Sequence, residues 1–316
     1  MFIKPARTLA TLGLFCSMAM NTAATVPPTP SSSNPTTTEQ GVYSILNHEQ
    51  LKEKKKNRFF INQDVAHTVD SDPIFPYHAN PLYSFVGIEH FLTSAFSIGA
   101  VISYTYEKDT YTRNSPGVLR ANTIENVTGF LPYINYLVNP TWLLTAQIGG
   151  YIEQDKDTQV NTDGTITRTN SQVFTPDAEA YVTWIGPDTK WTASVRTGVY
   201  YVNQRFRSII DSTGAFFPTR HFESAAAAIS ARIKYYPDDT FWNAFLQLET
   251  DWRFFEGARP GVFHPDNARN TMQYIVGPGI HFKLNETWEL RVMALHTIGF
   301  GYGKEERIGI RLRAAF

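Results

Sequence analysis

Along much of the chain apolar and polar residues alternate with a period of two. In the last segment Ile308, Ile310, Leu312, Ala314 and Phe316 take one side of the alternation, and Arg307, Gly309, Arg311, Arg313 and Ala315 the other. Upstream, Trp288, Leu290, Val292 and Ala294 oppose Glu289, Arg291 and Met293. Trp242, Ala244, Leu246 and Leu248 oppose Asn243, Gln247 and Glu249, with Asp251 and Arg253 continuing the polar side. Ala225, Ala227, Ile229, Ala231 and Ile233 oppose Ser224, Ser230, Arg232 and Lys234. Segments opened by Trp191 and Trp142 repeat the pattern, Arg196 being on the polar side of the first. Successive side chains of a strand point to opposite faces, so each segment is a strand with one apolar and one polar face. Each exceeds the mean soluble strand and matches the roughly nine to eleven residues that a tilted strand needs to cross hydrocarbon. Trp142, Trp191, Trp242 and Trp288 all open the apolar face of their strands, where an interfacial aromatic girdle belongs. One such strand fits the edge of a soluble sandwich. Its recurrence predicts an all-β fold, a transmembrane antiparallel β-barrel with lipid outside and a polar lumen.

The connections predict the topology. Short links at 92–95, 138–141, 186–189, 237–240 and 284–287 alternate with longer ones near 112–119, 161–164 with its flanks, 211–220, 257–270 and 301–306. Short turns belong on the periplasmic side of an outer-membrane barrel and long loops outside, which places both barrel ends in the periplasm. About eleven strands follow Leu82, and an even count requires one more, for which 59–68 is the candidate. Twelve strands is the expectation; ten is the alternative, because 59–68 alternates poorly. Around 85–91 either Glu89 or His90 faces the lumen, and burying Glu89 there is cheaper than exposing it to lipid.

Composition narrows the class further. The 316 residues carry a net charge of -1, and no run of eighteen apolar residues exists, which excludes a helical membrane span. The near-neutral charge offers nothing to nucleic acid. Residues 1–25 have the basic start, apolar core and small-residue end of a signal peptide, and the single cysteine, Cys16, falls within it. Residues 26–38 form a Pro/Ser/Thr-rich tether. Residues 39–57 show weak helical spacing and end in a basic tract, a periplasmic segment or a helix threaded through the barrel of 58–316; about seventeen helical residues span ~25 Å.

From Asn57 to Phe316 the chain resembles the translocator (β-domain) of autotransporters. The resemblance rests on the strand count, on Phe85-Val86-Gly87-Ile88-Glu89 turning into Phe96-Ser97-Ile98-Gly99-Ala100, and on the ending from Ile308 to Phe316. It implies an outer-membrane location, a helix in the lumen, and a terminal Phe316 read as a signal by the outer-membrane assembly machinery. Family members carry a large N-terminal passenger, whereas about thirty residues separate leader and barrel here.

The sequence has no phosphate loop, paired-His helix or Cys ligand set, so no cofactor or metal site and no enzyme activity is expected. Two hydrolase readings stay in view. His296 falls on the lipid face but no serine occurs on the flanking strands, and Asp211 with His221, or His264 with Asp266, supplies acid and imidazole near the outer rim. The denser signal is the lumen face, where Glu89, Arg196, Arg232, Glu249, Arg253, Arg291, Arg311 and Arg313 are expected to line a pore. These charges either neutralise one another and stiffen the wall or select small anionic solutes. A pore or translocator in contact with outer-membrane lipids, and a surface structural or adhesive barrel acting through its loops, are the two functional expectations.

Overall fold

In chain order the strands are β1 (Asn57–Asp70), β2 (Tyr77–Ala79), β3 (Leu82–Phe91), β4 (Phe96–Thr112), β5 (Val118–Asn139), β6 (Trp142–Asn161), β7 (Ile166–Ile185), β8 (Trp191–Phe206), β9 (Ile209–Ile210), β10 (Phe216–Phe217), β11 (Arg220–Tyr235), β12 (Trp242–Ala258), β13 (Met272–Lys283), β14 (Trp288–Gly299) and β15 (Gly303–Ala315). This computed structural model describes residues 56–70, 77–112, 118–187, 189–237, 241–258, 272–299 and 303–316. The expected helix and the tether lie outside the described residues, except for Lys56, which is exposed and outside any strand, and Asn57, the first residue of β1.

Twelve strands, β1, β3–β8 and β11–β15, form one antiparallel sheet, which the β15–β1 pair closes into a barrel. At that seam the register runs unbroken from Arg58 opposite Ala315 to Asp70 opposite Gly303. Closure leaves no edge strand, so each wall strand finds ladder partners on both sides, as hydrocarbon requires. The poorly alternating 59–68 segment does form the first strand. β2 prolongs β3 and bridges β1 to β4, while β9 and β10 make a small hairpin inside an outer connection.

Alternation decides the facing. Ile61, Val65, Val86, Ile88, Ile102, Phe130, Ile134, Ile148, Ile308 and Ile310 are exposed on the outside of the barrel, a belt of apolar surface that water does not favour. Trp142, Trp191 and Trp288 sit on the same outer surface at the short-turn end. Those turns are built by side-chain acceptors. Thr93 Oγ1 accepts from the amides of Ala95 and Phe96, Asn139 Oδ1 from Thr141, and Asn285 Oδ1 from Thr287 and Trp288. Pro132, Pro176 and Pro278 each keep a ladder partner on one side and interrupt the ladder on the other, as a residue without an N–H must.

The wall is uneven in height. β5, β6 and β7 are 22, 20 and 20 residues long, against 12 for β13 and β14. The connection expected as a long loop around 161–164 is therefore a tight turn at the tip of two long strands, closed by Asn161 N–H donating to Thr165 O at 2.9 Å.

Inside, the lumen is less polar than the alternation predicts. Phe60, Phe85, Val101, Leu131 and Tyr133 form one buried cluster on β1 and β3–β5, and Phe245, Ile275, Met293 and Leu295 another on β12–β14. Several of these rings cover a glycine on the neighbouring strand. Phe60 is opposite Gly87, and Phe245 opposite Gly279; a Cβ on either glycine would fall 2.1 or 2.2 Å from a ring carbon. Tyr133, Tyr151 and Tyr181 repeat the arrangement over Gly99, Gly129 and Gly198. The missing side chain makes room for the ring, and the ring shields the strand that glycine weakens.

Candidate functional site

The lumen is the candidate site, and its charges are segregated. Cationic side chains come from β1, β8, β11, β14 and β15: Arg58, Arg196, Arg232, Arg291, Arg307, Arg311 and Arg313. Carboxylates dominate the facing strands β4–β7, where Glu107, Asp109, Glu125, Glu153, Asp155, Asp157, Asp177 and Glu179 are buried. Each set follows from period-two placement: Glu153, Asp155 and Asp157 on β6 alternate with Gln154 and Lys156, which point out.

Each expected lumen residue with a described side chain sits on the inner face. Glu89 is 1 % exposed and is the hub of a network: Ser97 Oγ donates to it at 2.5 Å, Asn135 Nδ2 at 3.1 Å and Arg58 Nη1 at 3.3 Å. His90 faces out, which settles the register of β3 in the cheaper sense. Arg196 pairs with Glu249 at 3.6 Å and lies over the Tyr181 ring at 4.6 Å. Arg232 donates to Gln247 Oε1 at 2.5 Å, and Gln247 in turn donates to Glu249 at 3.3 Å. Arg232 and Arg291 share the Phe245 ring at 5.4 and 5.2 Å, and Arg311 lies 5.4 Å from the Phe60 ring. Arg291 and Arg311 are directly opposite in the β14–β15 register, like charges whose repulsion the ring contacts only partly relieve. Arg313 pairs with Glu289, which also accepts from His281 Nε2 at 2.9 Å. The side chain of Arg253 lies outside the described residues. Lys283, the last residue of β13, is exposed at the short-turn end.

Between these groups lies a small recess, bordered by Arg232, Lys234, Phe245, His281, Arg291, Arg311 and Arg313 among others. Its lining is strongly cationic, with Glu289 as the one carboxylate. Such a surface attracts anions and, where partly dehydrated, replaces water around them with guanidinium donors.

No protein-family model matches the sequence, and no curated protein is similar to it in sequence. Solved structures do match. The translocator domain of the autotransporter NalP from Neisseria meningitidis superposes with a TM-score of 0.73 over 89 % of this chain and 95 % of its own, at 9 % identity. The β domain of the Bordetella autotransporter BrkA gives 0.63 over 83 % and 100 %, at 12 % identity. The transport unit of AIDA-I from Escherichia coli gives 0.59 over 89 % and 96 %, at 10 % identity. The barrel has the autotransporter translocator fold. That agrees with the resemblance read from the strand count and the terminal strand.

Among the described residues no hydrolase geometry assembles. His296 is outward but toward the long-loop end, where Nδ1 meets Glu306 Oε1 at 2.5 Å in an exposed pair. Asp211 closes the β9–β10 turn, accepting from Thr213 and Ala215. His264 and Asp266 lie outside the described residues. The alternation missed the inward aromatic rings and most of the acidic half of the lumen. For the acids a signal existed, in the spacing of Glu153, Asp155 and Asp157. Glu125 needed the strand pairing to be seen.

Proposed function

We propose that the protein is an outer-membrane barrel whose narrow lumen forms an anion-favouring, translocator-like pore. The observation that carries this reading is the charge-lined interior of a closed barrel with an apolar exterior: seven buried or half-buried arginines face the lumen on β1, β8, β11, β14 and β15. A wall needs no such set for stability, since replacing buried ion pairs by apolar residues is often neutral or favourable. The segment before β1 regulates the path. Its basic tract leads into Arg58, which is inside the lumen and paired with Glu89, and that placement supports such a role for the segment. Phe316 serves the assembly machinery.

A second reading, a surface barrel with a closed lumen, is favoured by the apolar plugs around Phe60, Leu131 and Phe245. Single-channel recording in planar bilayers separates the two. The pore reading expects steady current with anion preference, reversed when Arg311 and Arg313 are both replaced by glutamate and enlarged when residues 26–56 are removed. Silence from the full chain and from the deletion variant alike would leave only the surface barrel.

A further inference from the structure

The acidic half of the lumen gathers carboxylates at opposed positions of neighbouring strands. Glu107 is directly opposite Glu125 in the β4–β5 register, and Glu125 directly opposite Asp155 in the β5–β6 register, so three carboxylates form one row across three strands. The next row outward carries Asp109 and Asp157 with Thr123 between them. Like charges at opposed positions of a sheet destabilise it, and burial sharpens the repulsion. Lys108 and Lys156 lie on these same strands but point outward. Arg307, over the Tyr83 ring on the adjoining wall, is held by Glu305.

A second observation marks one point in this patch. Glu125 is fully buried, and among the described residues neither of its carboxylate oxygens accepts a hydrogen bond. Asp155, 3 % exposed, accepts from Ser171 at 2.7 Å through Oδ2 and has no hydrogen-bond partner at Oδ1. Glu125, Glu153 and Asp155 each bring an oxygen within 4.8 Å of the others. That is the spacing at which oxygens share one ion.

We propose that Glu125, Glu153 and Asp155 bind a divalent cation of the hard, oxygen-seeking class, Ca²⁺, in the outer part of the lumen. Three carboxylates, each able to bind through one or both oxygens, supply most of the six to eight that Ca²⁺ takes, and Glu107 stands opposite Glu125 to complete the charge. No His or Cys belongs to the set, which disfavours zinc and the softer metals. Mg²⁺ demands a tighter octahedron and sheds water reluctantly. The site is near the long-loop end: Asp155 is thirteen residues beyond Trp142, ~43 Å along the strand and ~30 Å along the barrel axis at a tilt of about 45°. Bound there, the ion ties β5 to β6 at the base of the tall wall and cancels much of the negative field facing the arginines. The inference concerns the site alone and stands whether or not the lumen conducts.

The test uses the full mature chain folded in detergent and stripped with chelator. Calorimetric titration with calcium chloride should saturate at one ion per chain with a dissociation constant below about 10⁻³ M, and magnesium chloride should bind at least tenfold more weakly. Calcium should also raise the thermal unfolding midpoint. Glu125→Gln keeps the side-chain shape but removes a charge: it should weaken binding at least tenfold, raise the midpoint in chelator, and lose the calcium increment. Asp155→Asn provides the same readout should the first variant fold poorly. No saturable binding up to about 10⁻² M, or binding indifferent to both substitutions, would overturn the assignment. So would a wild-type midpoint unmoved by calcium together with a stabilised Glu125→Gln, since protons rather than a cation would then neutralise the cluster.

Discussion

Phe60 on β1 covers Gly87 on β3 so closely that a Cβ on the glycine would fall 2.1 Å from the ring. The contact joins the first strand, which alternates poorly, to the rest of the wall. Gly87→Ala must displace a fully buried ring from its cluster, and an overpacked core typically costs about 1–3 kcal/mol. Urea unfolding in lipid vesicles should show that loss. In a Phe60→Leu background the same substitution should be cheaper, with a coupling above about 0.5 kcal/mol. Additive effects would mean that the ring does not depend on the glycine.

The Arg58–Glu89 pair predicts an asymmetry. Glu89→Ala leaves Arg58, 2 % exposed, without its carboxylate and strips acceptors from Ser97 and Asn135; breaking a buried pair this way costs about 3–5 kcal/mol. Replacing both partners by methionine should recover much of that. If the double replacement were as damaging as Glu89→Ala, the network around Glu89 would owe its importance to Ser97 and Asn135 rather than to the ion pair.

Facing is tested by placing one charge on each side of the wall. Val292 is opposite Ile310 on the outer face near mid-strand, and arginine there should cost roughly 2–4 kcal/mol of barrel stability. Gln147, buried on the inner face and opposite Glu179, should accept arginine at far lower cost because it faces the polar lumen beside a carboxylate. Equal penalties in refolding experiments would put the apolar belt in the wrong medium.

Phe316 closes the seam through its backbone alone. Its amide donates to Asn57 O at 3.0 Å and its carbonyl accepts from Asn57 N–H at 2.9 Å, while the side chain is 60 % exposed. Phe316→Ala should therefore change the stability of the folded barrel by less than about 0.5 kcal/mol. If the ring is a signal for the assembly machinery, the same variant should reach the membrane in several-fold lower amount, measured as heat-modifiable protein in cell envelopes. Unchanged assembly would remove that role from the terminal ring.

What the sequence determined by itself is the part of the fold that depends on one strand at a time. Whether a residue such as Leu290 or Arg311 faces lipid or lumen follows from a period of two, because a strand has only two faces and the media on them differ by kilocalories per residue. The strand count followed in the same way from the alternation of short and long links. Tertiary structure decided everything that depends on which residue lies opposite which. That Phe60 covers Gly87, that Arg291 meets Arg311, and that Glu107, Glu125 and Asp155 form a row are matters of register between strands. The chain alone leaves register open, since shifting a neighbouring strand by two residues preserves its facing while changing every partner. The acidic patch was thus half legible, as the spacing of Glu153, Asp155 and Asp157 on one strand. Its concentration around Glu125 arose only when two further strands brought their own charges to the same height.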